Sequence, residues 1–136
     1  MKHINFLFVA SVAFVLSDCL SAASGEIGDF ALLDHEGHFH QLRKYSDTRA
    51  LVLISMASDC AENVEKFSKY RSLREKWERK GITFLAIDSS SKDALNEVRI
   101  MASASSLGLP ILLDDSQLVA ESLGITKAGQ IIVLAP

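Results

Sequence analysis

Between residues 50 and 134 the chain switches repeatedly between short apolar runs and longer stretches where apolar residues return every third or fourth position. Ala50-Leu51-Val52-Leu53-Ile54-Ser55 and Ile82-Thr83-Phe84-Leu85-Ala86-Ile87 are nearly continuous apolar runs of strand length. Such runs suit strands covered on both faces of a sheet. Between them Val64, Phe67, Tyr70, Leu73 and Trp77 recur at helical spacing, with Glu62, Glu65, Lys66, Lys69, Arg71 and Glu78 among the polar positions. This pattern predicts an amphipathic helix to about Lys80, with Phe67 and Trp77 on its core face. Ser58 or Asp59 is a natural N-cap for it, and Gly81 a natural stop.

Farther on, Ser89 to Lys92 read as a polar loop. Asp93 opens a second helix through Leu95, Val98, Met101 and Ala102, ending near Gly108. Pro110-Ile111-Leu112-Leu113 reads as a short strand, and Asp114-Asp115-Ser116 caps a short helix from Gln117 to Leu123, stopped by Gly124. Gln130 to Leu134 is the last strand run. Upstream, Phe30 to Leu33 and the Phe39–Leu42 stretch flank the turn signal Asp34-His35-Glu36-Gly37, which predicts a short hairpin. The order is hairpin, strand, helix, strand, helix, strand, helix, strand. Such alternation predicts an α/β sandwich, with helices on a largely parallel sheet joined by right-handed crossovers.

The first 23 residues have a different character. Met1-Lys2-His3 carries a small positive charge, and Ile4 to Leu16 is apolar apart from Asn5 and Ser11. Ser21-Ala22-Ala23 supplies small residues before a cut. This is the three-part layout of a secretory signal peptide, and the apolar run is short for a spanning helix, which needs about 20 residues. The domain expectation is a signal peptide at 1–23 and one domain at 24–136, in the periplasm or secreted. The alternative is an uncleaved anchor, the one route by which the chain would meet a membrane. Asp18 ahead of Cys19 argues against lipidation there. Removing 23 of the 136 residues leaves 113, and takes one Lys and one Asp, so the net charge stays at −3. A chain of that length makes one small domain. Its mild acidity, without a Lys/Arg run interleaved with aromatics, excludes a nucleic-acid-binding class.

Cys19 leaves with the signal, so Cys60 stands alone in an oxidising compartment. An odd cysteine there reads as a reactive or intermolecular thiol, or as a buried small hydrophobe. Position favours the first reading. Ligands of open α/β sheets collect beyond the carboxyl ends of strands, and Cys60 follows the 50–55 strand at the first turn of a helix. Helix N-termini favour a thiolate. Asp59 and Glu62 oppose it by like charge. Asp88 ends a strand at the same end of the sheet, and reads as a partner of Cys60 or as a loop carboxylate. His35, His38 and His40 with Cys60 have the donor types of a copper or zinc site; solvated loop histidines are the plainer reading. No cofactor motif is present.

Gly28-Asp29-Phe30-Ala31-Leu32-Leu33-Asp34-His35-Glu36-Gly37 resembles the PDFxLxDxxG opening of redoxin domains of the alkyl hydroperoxide reductase/thiol-specific antioxidant group, with Gly28 in place of the proline. Leu51 to Cys60 resembles their strand and cysteine turn. Asp114-Asp115-Ser116 through Gly124-Ile125-Thr126 resembles their D-x-x-x-x-A-x-x-x-G-V segment, followed by a strand. The resemblance covers about residues 25 to 134. It implies a thioredoxin-like fold and thiol–disulfide or peroxide chemistry at Cys60, with Ser58, Asp59, Asn63, Ala128 and Gly129 lining the substrate groove.

The departures from that pattern are specific. Asn63 stands where a Cys-x-x-Cys motif has its second cysteine, so a mixed disulfide at Cys60 has no local thiol to resolve it. Ala57 stands where a peroxiredoxin has threonine. Gly129 stands at the family's proline before the last strand, which leaves that loop trans and more mobile. The chain stops soon after the last strand run, where the family continues with another strand and helix. Three functions follow as expectations: a single-cysteine redox protein with an external thiol or disulfide partner, a degenerate redoxin module used for binding, or a metal-handling protein using Cys60 and a histidine.

Overall fold

The computed structural model describes residues 27–57, 63–90 and 95–135. The turn signal at residues 34–37 joins β1 (Ala31–Leu33) to β2 (Phe39–Gln41) as an antiparallel hairpin with Leu32 opposite His40. A 3₁₀ turn over Leu42–Tyr45 leads into β3 (Ala50–Met56). Next come α1 (Asn63–Glu78), β4 (Ile82–Asp88), α2 (Leu95–Ser105), β5 (Ile111–Leu113), α3 (Leu118–Ser122) and β6 (Ile131–Leu134). No helix of the described residues is long and apolar enough to cross a membrane.

The main sheet has the order β5-β4-β3-β6. β3, β4 and β5 run parallel, and β6 runs antiparallel to β3, with Leu53 opposite Ile132. The hairpin extends the β5 side, where Asp34 bridges to Leu112. The continuous apolar runs are explained by burial on both faces. From β3, Val52, Ile54 and Met56 face one way and pack with Phe67 and Tyr70 of α1 and Val98 of α2. Leu51 and Leu53 face the other way and pack with Leu85, Ile87, Leu112 and Val119, flanked by Leu32 of the hairpin and Ile132 and Leu134 of β6. On β6 the alternate residues Ile131 and Val133 are exposed, so this strand is covered on one face and lies at the sheet edge.

Helix ends follow local chemistry. α1 stops at Glu78, where the Gly81 N–H returns to the Glu78 carbonyl with φ at +83°, a conformation that favours glycine. Phe67 is buried. Trp77 is half-buried, with the ammonium groups of Lys80 and Lys76 at 4.2 and 5.5 Å from its ring centroid. Arg71 and Arg74 reach from α1 to the Ser105 and Leu107 carbonyls, placing positive charge at the C-terminal end of α2. α3 is shorter than the pattern predicts, because Gln117 sits at φ +62°. Its side-chain amide donates to the Ser89 carbonyl at 2.7 Å, and its N–H to that of Asp114 at 2.8 Å.

Candidate functional site

The carboxyl ends of β3 and β4 open onto a cleft of about 560 Å³. Met56, Ile87, Ala120 and Ile125 give it apolar walls, and Ser89, Gln117, Thr126 and Lys127 are among its polar groups. Ala57 and Ala128 both border it. Parallel strands that end together leave such a crevice, the place where open α/β sheets take their ligands.

Ser55 organises one side of the cleft. It is buried near the end of β3, and its hydroxyl donates to the Lys127 carbonyl at 2.8 Å and accepts the Gln130 N–H at 2.9 Å. The main chain adds two bonds: Ser55 N–H to the Gln130 carbonyl at 2.9 Å, and Gly129 N–H to the Ser55 carbonyl at 2.8 Å. The Gln130 side-chain carbonyl accepts the N–H groups of Thr126 and Lys127 at 2.7 and 2.9 Å. From α1, the Tyr70 hydroxyl donates to the Gly129 carbonyl at 3.4 Å, and burial raises its pKa. The described residues contain no cis peptide, so the trans reading of the Gly129 loop stands. The expected looseness does not, because side chains from β3, α1 and Gln130 all hold that loop. Gly129 itself has φ +85°, and a methyl placed on it would lie 3.6 Å from the Tyr70 hydroxyl and 3.7 Å from the Lys66 ammonium.

Two buried carboxylates stand near the cleft. Asp114 accepts the Ala120 and Val119 N–H groups at 2.8 and 3.3 Å and the Ser89 hydroxyl at 3.2 Å, which caps α3 as its sequence context predicts. Asp88 ends β4 and accepts the Ser90 N–H at 2.8 Å. That bond is the loop-carboxylate role.

Of the residues singled out from sequence, Ala128 and Gly129 form the β6 approach beside the end of β3. Asn63 is the first residue of α1. Ser58, Asp59 and Cys60 lie outside the described residues, as do the signal segment 1–23 and Asp93. The sequence reading missed Ser55, Tyr70 and Gln130. A serine in an otherwise apolar buried run was the one available signal for Ser55, since a buried hydroxyl must find a partner.

The three histidines do not form one cluster. His35 Nδ1 accepts the Ile111 N–H at 3.2 Å, and its main-chain N–H donates to the Ile111 carbonyl at 2.9 Å. His40 lies between the Tyr45 hydroxyl on Nδ1 and Asp34 Oδ2, 2.9 Å from Nε2. Only His38 is a solvated loop histidine, as expected for all three. The hairpin carrying them joins the β5 side of the sheet, with β4 between β5 and β3. Asp34 is buried, and burial alone would raise its pKa. The His38 N–H, the His40 imidazole and the Glu36 N–H outweigh burial and hold it at about 2.

A family model described as the AhpC/TSA family matches residues 24–134. No curated protein sequence matches the chain. Among solved structures, a hypothetical protein from Sinorhizobium meliloti 1021 is similar at 24% identity and a TM-score of 0.71 over 80% of this chain. The chain spans 62% of that protein's length. A thiol-disulfide oxidoreductase from Bacteroides fragilis NCTC 9343 is similar at 19% identity and a TM-score of 0.71, over 82% of this chain and 84% of its own. The thioredoxin domain of a thiol-disulfide oxidoreductase from Bacteroides vulgatus is similar at 15% identity and a TM-score of 0.69, over 82% of this chain and 80% of its own. At these identities the likeness is one of fold, a thioredoxin-like α/β sandwich.

Proposed function

Because the chain belongs to the AhpC/TSA family, we propose that it is an exported, single-cysteine thiol redox protein acting through Cys60. The observation that carries the reading is the position of Cys60 in the β3–α1 connection, four residues beyond the end of β3. The cleft beside that strand end, bordered by Ala57 and Ala128, supports it. Cys60 as thiolate attacks one sulfur of a disulfide R–S–S–R, giving a mixed disulfide and releasing RS⁻. Asn63 offers no second sulfur, so an external thiolate R′S⁻ attacks the mixed disulfide. It leaves as R′–S–S–R and returns Cys60 to the thiolate. The net change is the exchange of R′ for R, and both partners come from outside the chain. Toward a peroxide ROOH, Cys60 becomes the sulfenic acid with release of ROH, and two external thiols restore it as water and a disulfide form.

The groove assignment to Ser58, Asp59, Asn63, Ala128 and Gly129 belongs to this reading. So does export by cleavage after Ala23 to the periplasm or the exterior. A second reading, a redoxin module used for binding, is favoured by the loss of three motif residues of the family's pattern, at Ala57, Asn63 and Gly129.

The deciding experiment is the pH dependence of Cys60 alkylation in the folded protein cut after Ala23. A thiol pKa below the ordinary value of about 8.5, with fast labelling, is the expected result. A thiol that labels only after unfolding overturns the redox reading and leaves the binding module.

A further inference from the structure

We infer that Asp34, Glu36 and His38, on the turn between β1 and β2, form a zinc site separate from Cys60. The alternating positions 34, 36 and 38 bring one donor atom each to a single point. His38 Nδ1 lies 3.4 Å from Asp34 Oδ2 and 3.6 Å from Glu36 Oε2, and all three donor atoms lie within 4.8 Å of one another. Zinc bonds of about 2.0–2.1 Å in a tetrahedron separate neighbouring donors by about 3.4 Å. The two shorter separations therefore already match edges of a zinc tetrahedron.

The donors differ in a way that suits an ion. Asp34 is a fixed anchor, its side chain 2% exposed, with Oδ1 accepting the Glu36 and His38 N–H groups at 2.9 and 2.8 Å. Its Oδ2 meets His40 Nε2 at 2.9 Å, and the Tyr45 hydroxyl holds the other ring nitrogen. Outer partners of this kind orient a ligating carboxylate. Glu36 and His38 are 63% and 69% exposed, so the open side of the site faces solvent. Two carboxylates balance a divalent charge, the imidazole supplies a borderline nitrogen, and the fourth position is left to water. The third hairpin imidazole takes no part, because His35 Nδ1 is engaged by the Ile111 N–H.

The test is calorimetric titration of the full chain with zinc chloride after alkylation of Cys19 and Cys60, which removes both thiols as competing ligands. One ion per chain is expected. Binding should weaken at least about tenfold in both His38→Gln and Glu36→Gln. Both side chains are exposed, so these variants should keep the far-ultraviolet circular dichroism of the parent. Cobalt(II) in place of zinc should give visible d–d absorption that disappears in the same variants. Absence of binding, or binding that either substitution leaves unchanged, overturns the assignment.

Discussion

The hydroxyl of Ser55 accepts the N–H of Gln130 across 75 residues of sequence, and the same hydroxyl donates to the Lys127 carbonyl. Ser55→Ala removes both bonds at the end of the β3–β6 pair and leaves the half-buried Gln130 N–H and the Lys127 carbonyl without that partner. The expected cost is about 1–3 kcal/mol in urea unfolding. Hydrogen exchange at Gln130 and Lys127 should quicken more than exchange in the middle of β4. Uniform quickening would refute a local bracing role.

Restoring the family's proline at position 129 should harm the fold. Gly129 holds φ at +85°, and its N–H donates to the Ser55 carbonyl. Proline fixes φ near −65° and has no N–H. Gly129→Pro is expected to destabilise by about 3 kcal/mol or more. A thermal midpoint equal to or above that of the parent would contradict the observed loop geometry.

Asp34 predicts an acid limit. Its pKa falls from 3.8 to about 2 on folding, so the unfolded chain takes up the proton first. Its contribution is complete above about pH 4, fades as pH falls toward 2, and amounts to about 2 kcal/mol. Unfolding by urea between pH 5 and 2, with a chelator present, should show this slope in the parent. Asp34→Asn should be less stable at pH 5, with a shallower slope. Parallel profiles would show that Asp34 is not the group responsible.

Asn63→Cys supplies the sulfur that the proposed exchange lacks. With a small aromatic disulfide, the parent should stop at one mixed disulfide per chain until thiol is added. The variant should release both halves of the reagent and close an internal disulfide between Cys60 and the introduced thiol. Mass spectrometry distinguishes the products. A parent that forms no mixed disulfide at all counts against the redox reading itself.

The legible part of the fold was the part governed by short-range pattern. The runs at β3 and β4 and the Phe67–Tyr70–Trp77 spacing of α1 identified their elements, because burial on two faces or one stripe leaves a periodic trace. Asp114 was legible as a cap because the N–H groups it accepts lie five and six residues away. Element ends shifted where one residue's backbone decided the matter, as at Gln117. The candidate site was less legible because its supports are distant in sequence: Ser55 with Lys127 and Gln130, and Tyr70 with Gly129. The histidines were misread for a related reason. His35 and His40 sit in a polar, turn-rich stretch that looks solvated, yet Ile111 engages His35 once β5 is beside the hairpin, and Asp34 holds His40 across the hairpin itself.

The central place of β3 also sets an order of assembly. Its parallel neighbour β4 follows after one helix, whereas its antiparallel neighbour β6 is the last strand. Closing the longer loop costs more chain entropy, and long-range pairing slows folding. In a chain delivered N-terminus first, β3, α1 and β4 are available to pack before β6 has emerged. Until then the Ser55 hydroxyl lacks its partners Lys127 and Gln130, and the cleft lacks its Ala128 wall. Completion of the cleft therefore waits on the pairing of β6 with β3.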